Sequence, residues 1–92
     1  MNTNTFKYVS QNNNFFGNGQ GLVTAELNKE IVMVWKTKRL NQETNRHYTE
    51  YYIVLHDEYN PSNRMKFLQK SFKQLQNQIE SYPNKLFTDT SL

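Results

Sequence analysis

Three runs of alternating residues, joined by connections too short for anything but hairpins, constrain this chain more than any other feature. Leu22 to Leu27, Ile31 to Lys38 and His47 to His56 are rich in Val, Ile, Thr and aromatic residues, which fit a pleated, half-buried surface. The first two are separated by Asn28-Lys29, a short turn in which Asn tolerates positive φ. The second and third are separated by Asn41-Gln42-Glu43-Thr44-Asn45, which suits a type I turn closed by a left-handed residue at Asn45. Parallel strands need a crossover of roughly a dozen residues. The three strands therefore run antiparallel, as a meander. Phe6-Lys7-Tyr8-Val9 supplies a candidate fourth strand at the edge, with Phe15-Phe16 able to anchor that segment on the core.

Downstream the period changes. Met65, Leu68, Phe72, Leu75, Ile79 and Tyr82 recur at spacings of 3, 4, 3, 4 and 3, the narrow apolar seam of a helix. Asn60 or Ser62 would cap it and Pro83 would stop it. The expected fold class is α+β: a three- or four-stranded antiparallel β-meander followed by one long C-terminal α-helix packed on the sheet. A single domain over 1–92 is expected, with a polar Asn/Gly-rich segment over 1–21 and the meander over 22–56. The helix covers 61–82, and the tail over 83–92 docks back through Leu86 and Phe87. The same 3-4 seam also suits packing against a partner's helix.

A chain of 92 residues makes a thin core, and such domains often add disulfides, a metal or a second copy. With no cysteine, disulfides and thiolate metal sites are excluded, leaving a homodimer as the expected device. Eleven Lys and Arg against eight Asp and Glu give a net charge of +3, which selects no partner by itself. The longest apolar run, Ile31 to Trp35, is far short of a membrane span. The N-terminus has no secretory pattern, so a cytoplasmic location is expected. Heavy Asn usage with a single Ala suits an AT-rich bacterial or phage genome.

Register in the second hairpin decides which side chains share a face, and a shift of one residue inverts every one of them. If Trp35 opposes Tyr51, Lys36 opposes Glu50; with the pairing shifted by one, Lys36 opposes Tyr51. Either way tyrosines occupy both faces of the third strand, and one set shares a face with Lys36 and Lys38. Ile31, Met33 and Trp35 are expected under the helix. Val23, Val32, Val34, Val54 and Tyr52 then lie on the other face, to be covered by the N-terminal segment, by a second copy or by a ligand.

Aromatics beside cations on a sheet face suit single-stranded nucleic acid, with bases stacking on rings while cations follow phosphates. Lys36, Lys38, Arg39, Arg46, Tyr48 and Tyr52 are the candidate binding residues. From Lys36 to Arg46 four cations stand against Glu43 alone. The plainer alternative is an exposed hairpin with Lys36 paired to Glu50, which contributes little on a surface. Arg64, Lys66, Lys70 and Lys73 gather in the first half of the expected helix, with Asp57 and Glu58 upstream to balance them.

Catalytic equipment is sparse. His47 and His56 are the only imidazoles, and a nine-residue separation on one strand points them to opposite faces. His56-Asp57-Glu58 lacks the spacing of a metal motif. Gly17, Gly19 and Gly21 form a loop without the Lys-Ser/Thr and following helix of a phosphate cradle. No cofactor and no enzymatic activity are expected. The functional expectation is a small nucleic-acid-binding accessory protein favouring single strands. The rival is a phage or mobile-element inhibitor or adaptor that docks on a host protein.

Overall fold

The computed structural model describes residues 3–11 and 19–88. Phe15, Phe16 and Gly17 lie outside them. Five strands follow one another in space as in sequence: β1 (Phe6–Gln11), β2 (Gln20–Leu27), β3 (Glu30–Asn41), β4 (Arg46–Asp57) and β5 (Asn60–Gln69). All neighbouring pairs are antiparallel. A helix, α1 (Phe72–Glu80), follows, and a two-residue strand, β6 (Leu86–Phe87), pairs with β4. Expected strands and turns appear where the alternation places them. Asn28 and Lys29 turn β2 into β3 with φ of 51° and 72°, and Asn45 closes the β3–β4 loop at 57°.

The helix expected over 61–82 is a strand and a helix instead. Asn60–Gln69 alternates across the sheet, and α1 starts only at Phe72. Two local facts account for this. Ser71 caps α1 by accepting from the Gln74 N–H through its Oγ (3.1 Å), as a Ser-x-x-Gln sequence allows. Phe67, which the helical seam leaves on the polar side, is buried in the core, where strand alternation places it with Met65. Pro61 sits in β5, at the sheet edge where a missing N–H is tolerated.

The core lies on one face only. Val23, Ala25, Leu27, Val32, Val34, Ile53, Leu55 and Phe67 meet Leu75 and Ile79 of α1, with Phe6 and Leu86 completing it. Each large apolar side chain removed from water here contributes about 1.5–3 kcal/mol. The Phe72 ring stacks on Phe6 at 5.3 Å. The helix also guards the β1 edge: the Phe6 N–H donates to Glu80 Oε2 (3.1 Å) and Gln76 Nε2 donates to the Phe6 carbonyl (2.7 Å). A strand edge left bare would be a template for wrong pairing.

Two polar clusters fasten the ends. Buried Asn4 donates from Nδ2 to the carbonyls of Ile79, Tyr82 and Asn84, while its Oδ1 accepts from the Leu86 N–H and from Asn28 Nδ2 (both 2.9 Å). Asp57 accepts from the Tyr82 hydroxyl (2.7 Å), Asn84 Nδ2 (2.9 Å) and the Tyr59 N–H (2.8 Å). Those hydrogen bonds, that from Asn84 foremost, hold the Asp57 carboxyl below its ordinary pKa.

One irregularity positions everything that follows. β3 and β4 stay paired only from the Trp35–Tyr52 rung to the Asn41–Arg46 rung. Beyond Trp35–Tyr52, β3 continues with β2 and β4 with β5, until β6 takes the vacated side of β4 at His56 and Asp57. The sheet therefore forks. Among the described residues no helix is long and apolar enough to cross a membrane.

Candidate nucleic-acid interface

The pairing of β3 with β4 selects the shifted register: Lys36 opposes Tyr51, Trp35 opposes Tyr52 and Arg39 opposes Tyr48. The face expected under the helix is exchanged. The expected grouping of Val23, Val32 and Val34 with Val54 and Tyr52 is split, because the shifted register sets Tyr52 and Val54 on the side of Trp35. Val32 and Val34 point into the core, while Ile31, Met33 and Trp35 are exposed on the opposite side. α1 lies across the core side of the sheet, nearest to β5, β1 and β4. The bulkier Met and Trp are left facing outward.

This outward face carries two rings in register. Trp35 and Tyr52 stack with centroids 6.5 Å apart and planes 14° from parallel, within the range of favourable offset stacking. Tyr48 lies further along β4 on the same face. Strand β5 alternates too, so Arg64, Lys66 and Leu68 share that face opposite His56, Val54 and Tyr52. Lys66 Nζ lies 4.5 Å from the Tyr52 ring centroid, and Lys70 Nζ lies 5.1 Å from that of Tyr48. These are cation–π distances. Arg39 Nε donates to Glu50 Oε1 at 2.8 Å. The other carboxylate of this face, Glu26, stands opposite Lys7. Among the described residues β6 covers only the end of this face, where Phe87 stacks on His56.

Of the residues singled out in the sequence, Arg39, Arg46, Tyr48 and Tyr52 are brought together on this face. Lys36 and Lys38 point to the other. Lys36 is only 1% exposed, level with Val34 in the core, because β3 keeps its alternation past the last valine. Burial, with Lys38 nearby, lowers the Lys36 pKa from its ordinary value. Lys38 is exposed and lies with His47 and Thr49 on that same side of the hairpin arm.

Trp35, Arg64, Lys66 and Lys70 join this surface without having been expected there. The unshifted face assignment puts Trp35 under the helix, and helical spacing sets Arg64 on a different side of the cylinder from Lys66 and Lys70. The signal is nevertheless present: Arg64, Lys66, Leu68 and Lys70 fall at every second position, the period of a strand face.

The two histidines point to opposite faces, as their spacing requires. His56 is buried, its ring stacked 5.4 Å from Phe87 and its Nδ1 2.7 Å from the Pro61 carbonyl. Among the described residues no three His, Asp or Glu side chains gather as metal ligands would. Comparison of the chain with protein families, with curated proteins and with solved structures finds no match.

Proposed function

We propose that this protein binds single-stranded nucleic acid on the sheet face opposite α1. The observation that carries the reading is the Trp35–Tyr52 stack set among Arg39, Arg46, Lys66 and Lys70, with Tyr48 continuing the line. Flat rings offer sequence-tolerant stacking to bases, and the surrounding cations draw the phosphates. Both carboxylates of the face stand beside a cation, so neither opposes the incoming backbone at full strength. A duplex conceals its base faces, whereas a single strand presents them. The preference for single strands follows from that difference.

The test is fluorescence anisotropy with labelled single- and double-stranded oligonucleotides at low and moderate salt. Binding to single strands that weakens steeply with salt supports the reading. No binding even at low salt sinks it. The outcome would then favour docking on a host protein, a reading supported by the exposure of Ile31 (61%) and Met33 (44%) on the same face. A single stoichiometric protein retained after nuclease treatment would support that rival.

A further inference from the structure

The fork between β3 and β4 opens a cleft of about 500 Å3 at the end of the aromatic line. Trp35 and Tyr52 close its head, Met33 and Val54 stand on its two strand walls, and Arg64 and Thr88 also line it. Pockets for small ligands commonly measure roughly 300–1,000 Å3. This volume suits a single nucleotide and is too small for a duplex. Its chemistry is that of a base site: rings at one end, apolar walls, and a guanidinium beside them.

The walls carry a second kind of recognition. Over Ile31–Val34 the strand partner of β3 is β2, and over Ile53–Leu55 that of β4 is β5. Among the described residues these two segments do not pair with each other as β3 and β4 do from Trp35–Tyr52 onward. Main-chain N–H and C=O groups along a strand edge match the donors and acceptors on the edge of a base. Arg64 and Lys66 follow each other on the outer face of β5, with Arg64 in the lining. Positive charge therefore lies where the phosphate of a base seated in the cleft would sit.

We infer that the cleft receives one unstacked nucleobase of the bound strand, with its 5′-phosphate held at Arg64. The inference rests on the single-strand reading above and adds a pocket to a platform: Tyr48 and Tyr52 stack bases in passing, and the fork takes one out of line. The protein would then need an extrudable base, and a backbone lacking bases would not satisfy it.

Trp35 is the sole tryptophan of the chain, so its emission reports on the head of the cleft. The experiment titrates the 92-residue chain separately with a nucleoside 5′-monophosphate, with the free nucleoside and with ribose 5-phosphate. All three are repeated on Val54→Phe, which fills the cleft, and on Arg64→Ala, an exposed change that spares the fold. Binding of a labelled single-stranded oligonucleotide is measured on all three proteins. The monophosphate is expected to quench Trp35 and ribose 5-phosphate to leave it unchanged. Val54→Phe should weaken monophosphate binding about tenfold, the scale of one base left unstacked. Arg64→Ala should weaken the monophosphate and leave the free nucleoside unaffected. If the oligonucleotide binds wild type and Val54→Phe equally, or the monophosphate leaves Trp35 emission unchanged while the oligonucleotide binds, the cleft assignment is overturned and the platform stands. If wild type binds no oligonucleotide at low salt, both fall together.

Discussion

Trp35 and Tyr52 face each other across β3 and β4 on the last rung before the sheet forks, their rings stacked at 6.5 Å and 14°. The rung thus ends the ladder and joins the exposed platform to the cleft beneath it. Its rings serve both.

Removing either ring should therefore weaken single-strand binding more than removing any one cation. Tyr52→Ala is expected to leave one base unstacked, at a cost of about 1–3 kcal/mol, or roughly 5- to 150-fold in affinity. Tyr51→Ala is the control, since Tyr51 lies on the core side opposite Lys36. Anisotropy at a single fixed salt concentration compares the two. Equal losses would show that the outward face is not the binding surface.

The cations should separate by face. Arg46→Ala or Lys66→Ala is expected to flatten the dependence of log affinity on log salt by about 0.7 for each phosphate that is no longer neutralised. Lys36→Met should leave that slope unchanged, because Lys36 is buried on the other side. The same substitution has a stability signature. With a lowered folded pKa, Lys36 binds fewer protons folded than unfolded in the interval below its ordinary 10.5. Its contribution to stability therefore rises with pH across that interval. Urea titrations at neutral and alkaline pH should show this rise for wild type relative to Lys36→Met.

At the acid end Asp57 governs. Its folded pKa is depressed below 3.8 by the bonds from Asn84, Tyr82 and Tyr59. That stabilisation is complete above 3.8 and is lost as pH falls through the depressed value. Melting temperatures of wild type and Asp57→Asn should differ at neutral pH and converge as the solution is acidified through the carboxylate range. A gap that stays constant with pH would mean the carboxylate charge plays no part.

Asn4→Ala should be among the most damaging single changes outside the apolar core. It removes the three donations from Nδ2 and leaves the Leu86 N–H without its acceptor. A buried donor so stripped adds a desolvation penalty to the hydrogen bonds removed, about 3 kcal/mol in all. Equilibrium unfolding in urea measures it; a cost under about 1 kcal/mol would indicate that water replaces the amide fully.

Local rules make the meander legible and fail where two periods compete. Asn28 and Asn45 announce their turns because few other residues accept positive φ without strain. Over Asn60–Gln69 the sequence satisfies both a helical seam, through Met65 and Leu68, and a strand face, through Met65 and Phe67. Good helix formers such as Arg64, Met65, Lys66 and Leu68 favour the first pattern. Pairing with β4 and burial of Phe67 enforce the second, a tertiary preference overriding a local one. Half of the proposed surface is visible in the sequence for the same reason. Arg39, Arg46, Tyr48 and Tyr52 lie on a hairpin readable from its own turn, whereas Lys66 and Lys70 reach the face only once β5 is recognised as a strand. The fork itself has no sequence signature: the strand that fills its far end, β6, lies 29 residues along the chain from its partner, between Asp57 and Leu86.

The clasp at Asn4 has a consequence for how the molecule is made. Its acceptors and donors lie between 75 and 82 positions further on at Ile79, Tyr82, Asn84 and Leu86. At translation rates of about 5–20 residues per second, the segment around Asn4 is synthesised roughly 4–16 seconds before the partners that fix it. Throughout that interval β1 can lean on β2 while the edge that Gln76 and Glu80 later cover stays open. The hairpins, whose partners are close in sequence, can close as they emerge. β1 is thus synthesised before the other strands, yet its outer edge is the last to be covered.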